Sequence, residues 1–214
     1  MTDTTPTADP IYATLRAAIL SGALAPGEPL RQDEIARQHG VSKIPVREAL
    51  LRLEAEGFVL FRKNKGATVR EVSAAEILNL MDIRVALECR ALELAVPAMA
   101  ESDLAAAGLI LRDYDHETDL EQRSLLNQRF HEALYDPCGN PPLMQLIRDL
   151  RARLGPAVRL LVTKTTGLER PASEHHAILA ACAAGNAPQA AALLRAHIET
   201  SRKETAAALR RLPS

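Results

Sequence analysis

The sequence has no tryptophan, and only three phenylalanines and three tyrosines among 214 residues. That is thin material for a single-stranded nucleic-acid platform built on base stacking. Its three cysteines, Cys89, Cys138 and Cys182, are far apart, odd in number and form no CxxC pair. Neither a disulfide framework nor a cysteine zinc knuckle is suggested, and reduced, partly buried thiols are expected. No uninterrupted apolar run approaches the ~18 residues of a membrane span, and the opening "MTDTTPTADP" has no hydrophobic signal core. A cytoplasmic protein without a membrane partner is the expectation. A GxSxG nucleophile pattern is also missing, as is any twenty-residue repeat. What is present, 47% hydrophobic and 25% charged residues, fits one large or two small domains, and two is the working expectation.

A net charge of -1 gives no hint of a polyanionic partner, but the distribution is uneven. Between Val41 and Arg70 the seven cations Lys43, Arg47, Arg52, Arg62, Lys63, Lys65 and Arg70 face only Glu48, Glu54 and Glu56, and the rest of the chain sums to -5. A basic island on an acidic chain is the footprint of a nucleic-acid-binding module, and a solvated charged face gives the same count.

From Pro10, "PIYATLRAAILSG" spaces Ile11, Leu15, Ala18 and Ile19 at helical intervals before Gly22 stops the pattern. "ALAPGEPL" has turn chemistry, and "RQDEIARQHG" reads as a short helix ending at Gly40. A third helix follows over residues 42–56. Ser42 suits its N-cap, Pro45 falls in the first turn, and Val46, Ala49, Leu50 and Leu53 form an inward stripe. Lys43, Ile44 and Arg47 are left on the opposite, amino-terminal face. After Gly57, "FVLFRKNKGATVR" places two β-prone runs, 58–62 and 67–70, around "KNKG", a hairpin with a basic tip. Helix, helix-turn-helix and hairpin in this order describe a winged helix-turn-helix. Its third helix would enter the major groove amino end first, with Lys43, Ile44 and Arg47 toward base edges and phosphates.

The stretch "PGEPLRQDEIARQHGVSKIPVREALLRLEAEGFVLFRKNKGATV" resembles the amino-terminal reader of the GntR family of bacterial transcription regulators. The match runs some forty-five residues without an obvious gap. The resemblance implies that Ser42, Lys43, Ile44 and Arg47 face double-stranded DNA, with Lys65 and Gly66 at the wing tip near the minor groove. One departure matters: the residue after the serine is usually arginine, and Lys43 is a point charge without the bidentate fork that reads guanine.

From Ser73 the composition turns rich in alanine and leucine, with breaks near Pro97, residues 139–142, Gly155-Pro156, Gly167 and residues 185–188. Six or seven helices in an antiparallel bundle are expected. The expected fold is therefore mainly α: a flexible tail over 1–9, a winged helix-turn-helix with a small β-hairpin wing over 10–72, and an all-α antiparallel helical bundle over 73–210.

Four polar features occupy inward phases of these helices. Arg84 sits within the stripe of Ile77, Leu80, Met81, Leu87 and Ala91, and its guanidinium needs an anion, either Glu88 one turn on or a carboxylate ligand. Asn127 and His131 are four apart and share a face, a chelating spacing that by itself more often reflects ordinary hydrogen bonding. In "SEHHAILAACAAG" the neighbours His175 and His176 diverge by about 100°, and the spacing to Ile178, Leu179 and Cys182 turns His175 inward and leaves His176 at the margin. His197 follows Leu193 and Leu194 by four and three residues, on the apolar face. Three inward imidazoles on different helices leave three readings open: a shared divalent metal, hydrogen-bonded core histidines, or an anionic ligand.

"IRVALE", "NQRFHEALYDPCGNPPL", "EHHAIL" and "AHIE" in turn resemble the helical FCD effector domain of the FadR-type branch of the family. Many such domains hold a divalent metal through an Asp-x-x-x-His pair and two later histidines, beside a small carboxylate effector. Carried onto this sequence, the implied metal ligands are Asn127, His131, His175 and His197, and Arg84 would anchor the effector. Asn127 departs from the pattern, since a neutral carboxamide binds a cation more weakly than aspartate. Zinc or nickel suits three imidazoles best, with manganese possible. The function so implied is a homodimeric, ligand-responsive regulator on a pseudo-palindromic operator. Two rivals remain: a regulator whose bundle only dimerises, and a metal-dependent hydrolase, for which no further machinery is apparent.

Overall fold

The computed structural model describes residues 8–62, 66–167 and 169–211. It divides into two compact units, Met1–Ser73 with Ala152–Ala157, and Ala74–Arg151 with Val158–Ser214.

In the first unit, helix α1 (Ala8–Ser21) turns Ile11, Leu15 and Ile19 into the core. It includes Ala8 and Asp9, which the sequence assigned to the tail. Helix α2 (Gln32–His39) stops at Gly40, whose φ of 64° is the left-handed geometry that glycine adopts freely and whose N–H closes onto Ala36 and Arg37 carbonyls. Helix α3 (Lys43–Ala55) buries Val46, Ala49, Leu50 and Leu53 completely. Removing side chains as large as Leu50 or Leu53 from such a stripe costs roughly 2–5 kcal/mol each. Strands β2 (Val59–Arg62) and β3 (Gly66–Val69) form the expected antiparallel pair, with Val59 opposite Val69 and Arg62 opposite Gly66. A third strand, β1 (Pro29–Leu30), pairs antiparallel with the other edge of β3, so the sheet order is β1-β3-β2. The sequence reads this segment only as a turn, because two residues carry no period. Lys65 lies outside the described residues.

The second unit is helical: α4 (Ala74–Ala95), α5 (Glu101–His116), α6 (Leu120–Tyr135), α7 (Pro141–Thr166, apart from Ala152–Ala157, which belong to the first unit), α8 (Glu169–Ala183) and α9 (Ala187–Leu209). Asp119 caps α6 by accepting from the Glu121 and Gln122 N–H groups, and Asn140 and Asn186 cap α7 and α9. The break expected at Gly155-Pro156 is an interruption of α7, with Gly155 at φ 72° and ψ 165°. Helix α4 packs along α9, α5 lies against α6 and α8, and α8 lies against α9. Their shared core includes Leu92, Phe130, Leu134, Ile178, Leu194 and Ile198. Among the described residues no helix is long and apolar enough to cross a membrane.

Candidate functional site

Three helices each deliver one histidine to this core: His131 from α6, His175 from α8 and His197 from α9, all buried. One nitrogen from each lies within 4.8 Å of the others. Their ring centroids are 5.0 Å apart for His131 and His175, 5.3 Å for His131 and His197, and 4.8 Å for His175 and His197. His176, the neighbour left at the margin by the helical phase, is exposed and pairs with Asp115 at 2.8 Å.

The hydrogen bonds around the cluster reach only some of its nitrogens. His197 Nδ1 lies 2.7 Å from Glu174 Oε2, and Glu174 is braced by Arg170, which also grips Glu204 through two nitrogens. His131 Nδ1 lies 3.3 Å from the Tyr135 hydroxyl. His131 Nε2 and both ring nitrogens of His175 are buried with no hydrogen-bond partner among the described residues. Buried polar atoms of this kind cost on the order of 1–3 kcal/mol each when left unmet. A divalent cation satisfies lone pairs that converge in this way, so the residues fit such an ion.

Electrostatics favour the neutral, metal-binding form of two rings. Burial drives the His131 and His175 pKa values well below the usual histidine range, and the neighbouring histidines and arginines lower them further. Neutral imidazoles keep the lone pair a metal needs.

Asn127 and Arg84 line one small cavity together with His197, Ser201, Thr163 and Thr166. Its volume is about 30 Å³, close to the share of a single water in the liquid. Arg84 does turn inward, and its partner is Glu88: Nε to Oε1 is 2.8 Å and Nη2 to Oε2 is 3.3 Å. Of the two anions weighed for Arg84 from the sequence, this is the intrahelical one. Glu88 is fully buried and also meets Arg151 Nη2 at 3.3 Å and the Tyr135 hydroxyl at 2.9 Å. Burial alone would raise the Glu88 pKa, but Arg84, Arg151 and the Tyr135 hydrogen bond outweigh it and hold it down to about 2.

Sequence reasoning missed Tyr135, Arg151, Glu174 and Arg170. Tyr135 follows His131 by four residues and so shares its face, which was a usable signal. Arg151 reaches Glu88 only through tertiary packing, and no spacing announces it.

The first unit presents the other group of sequence candidates. Ser42 sits at the N-cap position of α3 with extended backbone, yet its side chain makes no capping hydrogen bond. Ser42, Lys43, Ile44 and Arg47 are all exposed, Ile44 by 70%. Lys43 Nζ is 2.5 Å from Asp33 of α2 in an exposed ion pair. An open groove of about 890 Å³ runs past Arg31, Arg37, Lys43, Arg62 and Gly66. Gly66, the first residue of β3, has a φ of 73°, and among the described residues nothing lies within 4 Å of where a Cβ would sit.

Residues 7–69 match the bacterial regulatory proteins of the gntR family, and residues 79–200 match the FCD domain. The chain is 33% identical over 172 residues to the HTH-type transcriptional regulator McbR of Escherichia coli (strain K12), covering 78% of each. It is 30% identical over 200 residues to the HTH-type transcriptional repressor GlaR of the same strain, covering 88% of this chain and 91% of GlaR. Among solved structures, a GntR-family regulator from Pseudomonas syringae superposes with a TM-score of 0.58 at 30% identity, covering 95% of this chain and 86% of the other. A GntR regulator from Rhodococcus sp. RHA1 gives 0.66 at 26% identity, covering 94% and 98%.

Proposed function

Because the chain belongs to the gntR family of bacterial regulatory proteins and carries an FCD domain over more than half its length, it is a DNA-binding transcriptional regulator, and we propose that its helical unit is a metal-centred sensor. His131, His175 and His197 would hold the ion, with Asn127, which lines a small cavity with His197, as a weak oxygen ligand. A divalent ion there would supply positive charge that joins three helices, and an open position for a small carboxylate. Zinc or nickel matches three imidazoles, with manganese a poorer fit. The observation that carries this reading is the convergence of three buried histidines, three of whose ring nitrogens have no other partner.

The chain's own residues do the rest. Glu174 accepts the Nδ1–H of His197, which leaves the ring's lone pair on Nε2. Arg84 lines the cavity and could meet a carboxylate effector, but it is committed to Glu88. With room for about one water, the cavity admits an organic acid only if lining side chains move. Such movement is what an effector needs, because a ligand shifts affinity for DNA only by preferring one arrangement of the protein over another.

In the reader, Ser42, Lys43, Ile44 and Arg47 would meet the major groove while Lys65 and Gly66 approach the minor groove. A homodimer would place two readers on a pseudo-palindromic operator. The test is a gel shift on the chain's own promoter at low salt, with and without zinc and candidate carboxylates. Retardation that changes with these additions is expected; no retardation under any of them would overturn the proposal.

A further inference from the structure

The contacts of Glu88 and Tyr135 extend the metal-site proposal to a residue outside the ligand set. Glu88 Oε2 accepts from the Tyr135 hydroxyl at 2.9 Å, and the same hydroxyl oxygen lies 3.3 Å from His131 Nδ1. Glu88 is fully buried between the guanidinium groups of Arg84 and Arg151. Two cations against one carboxylate keep it ionised, so Glu88 has no proton to give and the tyrosine must be the donor between them. The single Tyr135 proton is then spent. Only His131 can supply the hydrogen between Nδ1 and the tyrosine oxygen, which fixes the ring as the Nδ1–H tautomer. Its other nitrogen, Nε2, therefore carries the lone pair, and that atom is buried with no hydrogen-bond partner among the described residues.

We infer that Tyr135, held by Glu88, is the positioning residue for His131: it sets the tautomer and the ring orientation that present Nε2 to a metal. The arrangement parallels that of Glu174 and His197, with a phenol inserted between carboxylate and imidazole. It also explains why a fully buried glutamate is flanked by two arginines at this point of the bundle. Arg84 and Arg151 hold Glu88 in the form that cannot donate, and the donor direction of the whole chain of bonds follows from that. The inference rests on the metal reading for its consequence, but the tautomer is a property of the metal-free protein.

The test therefore has two arms on the full chain. Long-range proton–nitrogen NMR of the histidine rings in metal-free protein reports the tautomer directly. A single Nδ1–H form of His131 is expected in the wild type, and an Nε2–H form would overturn the inference whether or not Tyr135→Phe folds. Cobalt titration followed by visible absorption, with zinc competition, reads affinity and coordination. Tyr135→Phe should weaken binding by about 10–100-fold and alter the cobalt spectrum, with His131 losing its single tautomer. An unchanged affinity and spectrum beside a wild type that binds cobalt would overturn the positioning role. A wild type that takes up no cobalt would overturn the metal reading instead, while the NMR arm still decides the tautomer.

Discussion

At the scale of single residues, the bundle depends on carboxylates whose partners are cations. Glu88 is held at about 2 in the folded chain, below its ordinary value near 4.3. A depressed acid binds fewer protons folded than unfolded, so its contribution is complete above that ordinary value and is lost as pH falls toward 2. By the same linkage its magnitude at neutral pH is on the order of 3 kcal/mol. Acid melts of the metal-free protein should therefore show stability falling in that window, and Glu88→Ala should be strongly destabilised, by roughly 3–5 kcal/mol, because it strands Arg84 and Arg151. A melting temperature within a degree of wild type for Glu88→Ala would refute this. The histidines shift stability at a higher pH. His131 and His175 are depressed as bases by burial, so the unfolded chain binds more protons, and stability is full above about pH 6.5 and declines below it. In the folded chain the same depression keeps both rings unprotonated well below pH 6.5, so proton competition at them should reach zinc binding only at lower pH; imidazole NMR shifts showing either ring protonated at about pH 6 in the metal-free folded protein would contradict it. Asn127 is a separate question. Asn127→Asp should tighten zinc binding and Asn127→Ala weaken it if the carboxamide coordinates, and unchanged affinity in both would leave the three histidines to hold the ion alone.

At the scale of elements, the helical phases were legible because each stripe leaves little choice. Val46, Ala49, Leu50 and Leu53 fix the buried face of α3, and the phase that turns His175 inward is the one that exposes His176. The breaks at Gly155 and Gly185 were legible from composition, but strand β1 was not, since Pro29 and Leu30 find their pairing only through β3. The capping role expected of Ser42 is not seen, and that has a consequence. Replacing an N-cap serine by alanine ordinarily costs about 0.5–2 kcal/mol, whereas Ser42→Ala should change stability by less than about 0.5 kcal/mol and show its effect on DNA affinity instead. A large drop in melting temperature would mean that Ser42 caps after all. Gly155 makes the opposite case. Its φ of 72° and ψ of 165° belong to a region used almost only by glycine, so Gly155→Ala should cost on the order of 1–3 kcal/mol, measurable by urea unfolding.

At the scale of the whole molecule, two units with different chemistries are joined in one chain: a reader with exposed Lys43, Ile44 and Arg47, and a bundle with three buried imidazoles. The first was legible because a basic island survives inside a chain of net charge -1. The convergence of His131, His175 and His197 was legible only as three inward phases, because sequence spacing says which face a residue occupies and not which helices meet. Of the braces around the cluster, Tyr135 with Glu88 belongs to tertiary structure, whereas Arg170 and Glu174 are four apart on α8 and their pairing was readable from spacing. The claim that unites these levels is that the cluster holds an ion, and metal content tests it most directly. Protein purified without chelator or nickel resin, before and after incubation with zinc, should carry about one divalent ion per chain and lose it in His131→Ala. Less than about a tenth of an equivalent in the wild type, with no uptake on adding zinc, would contradict it.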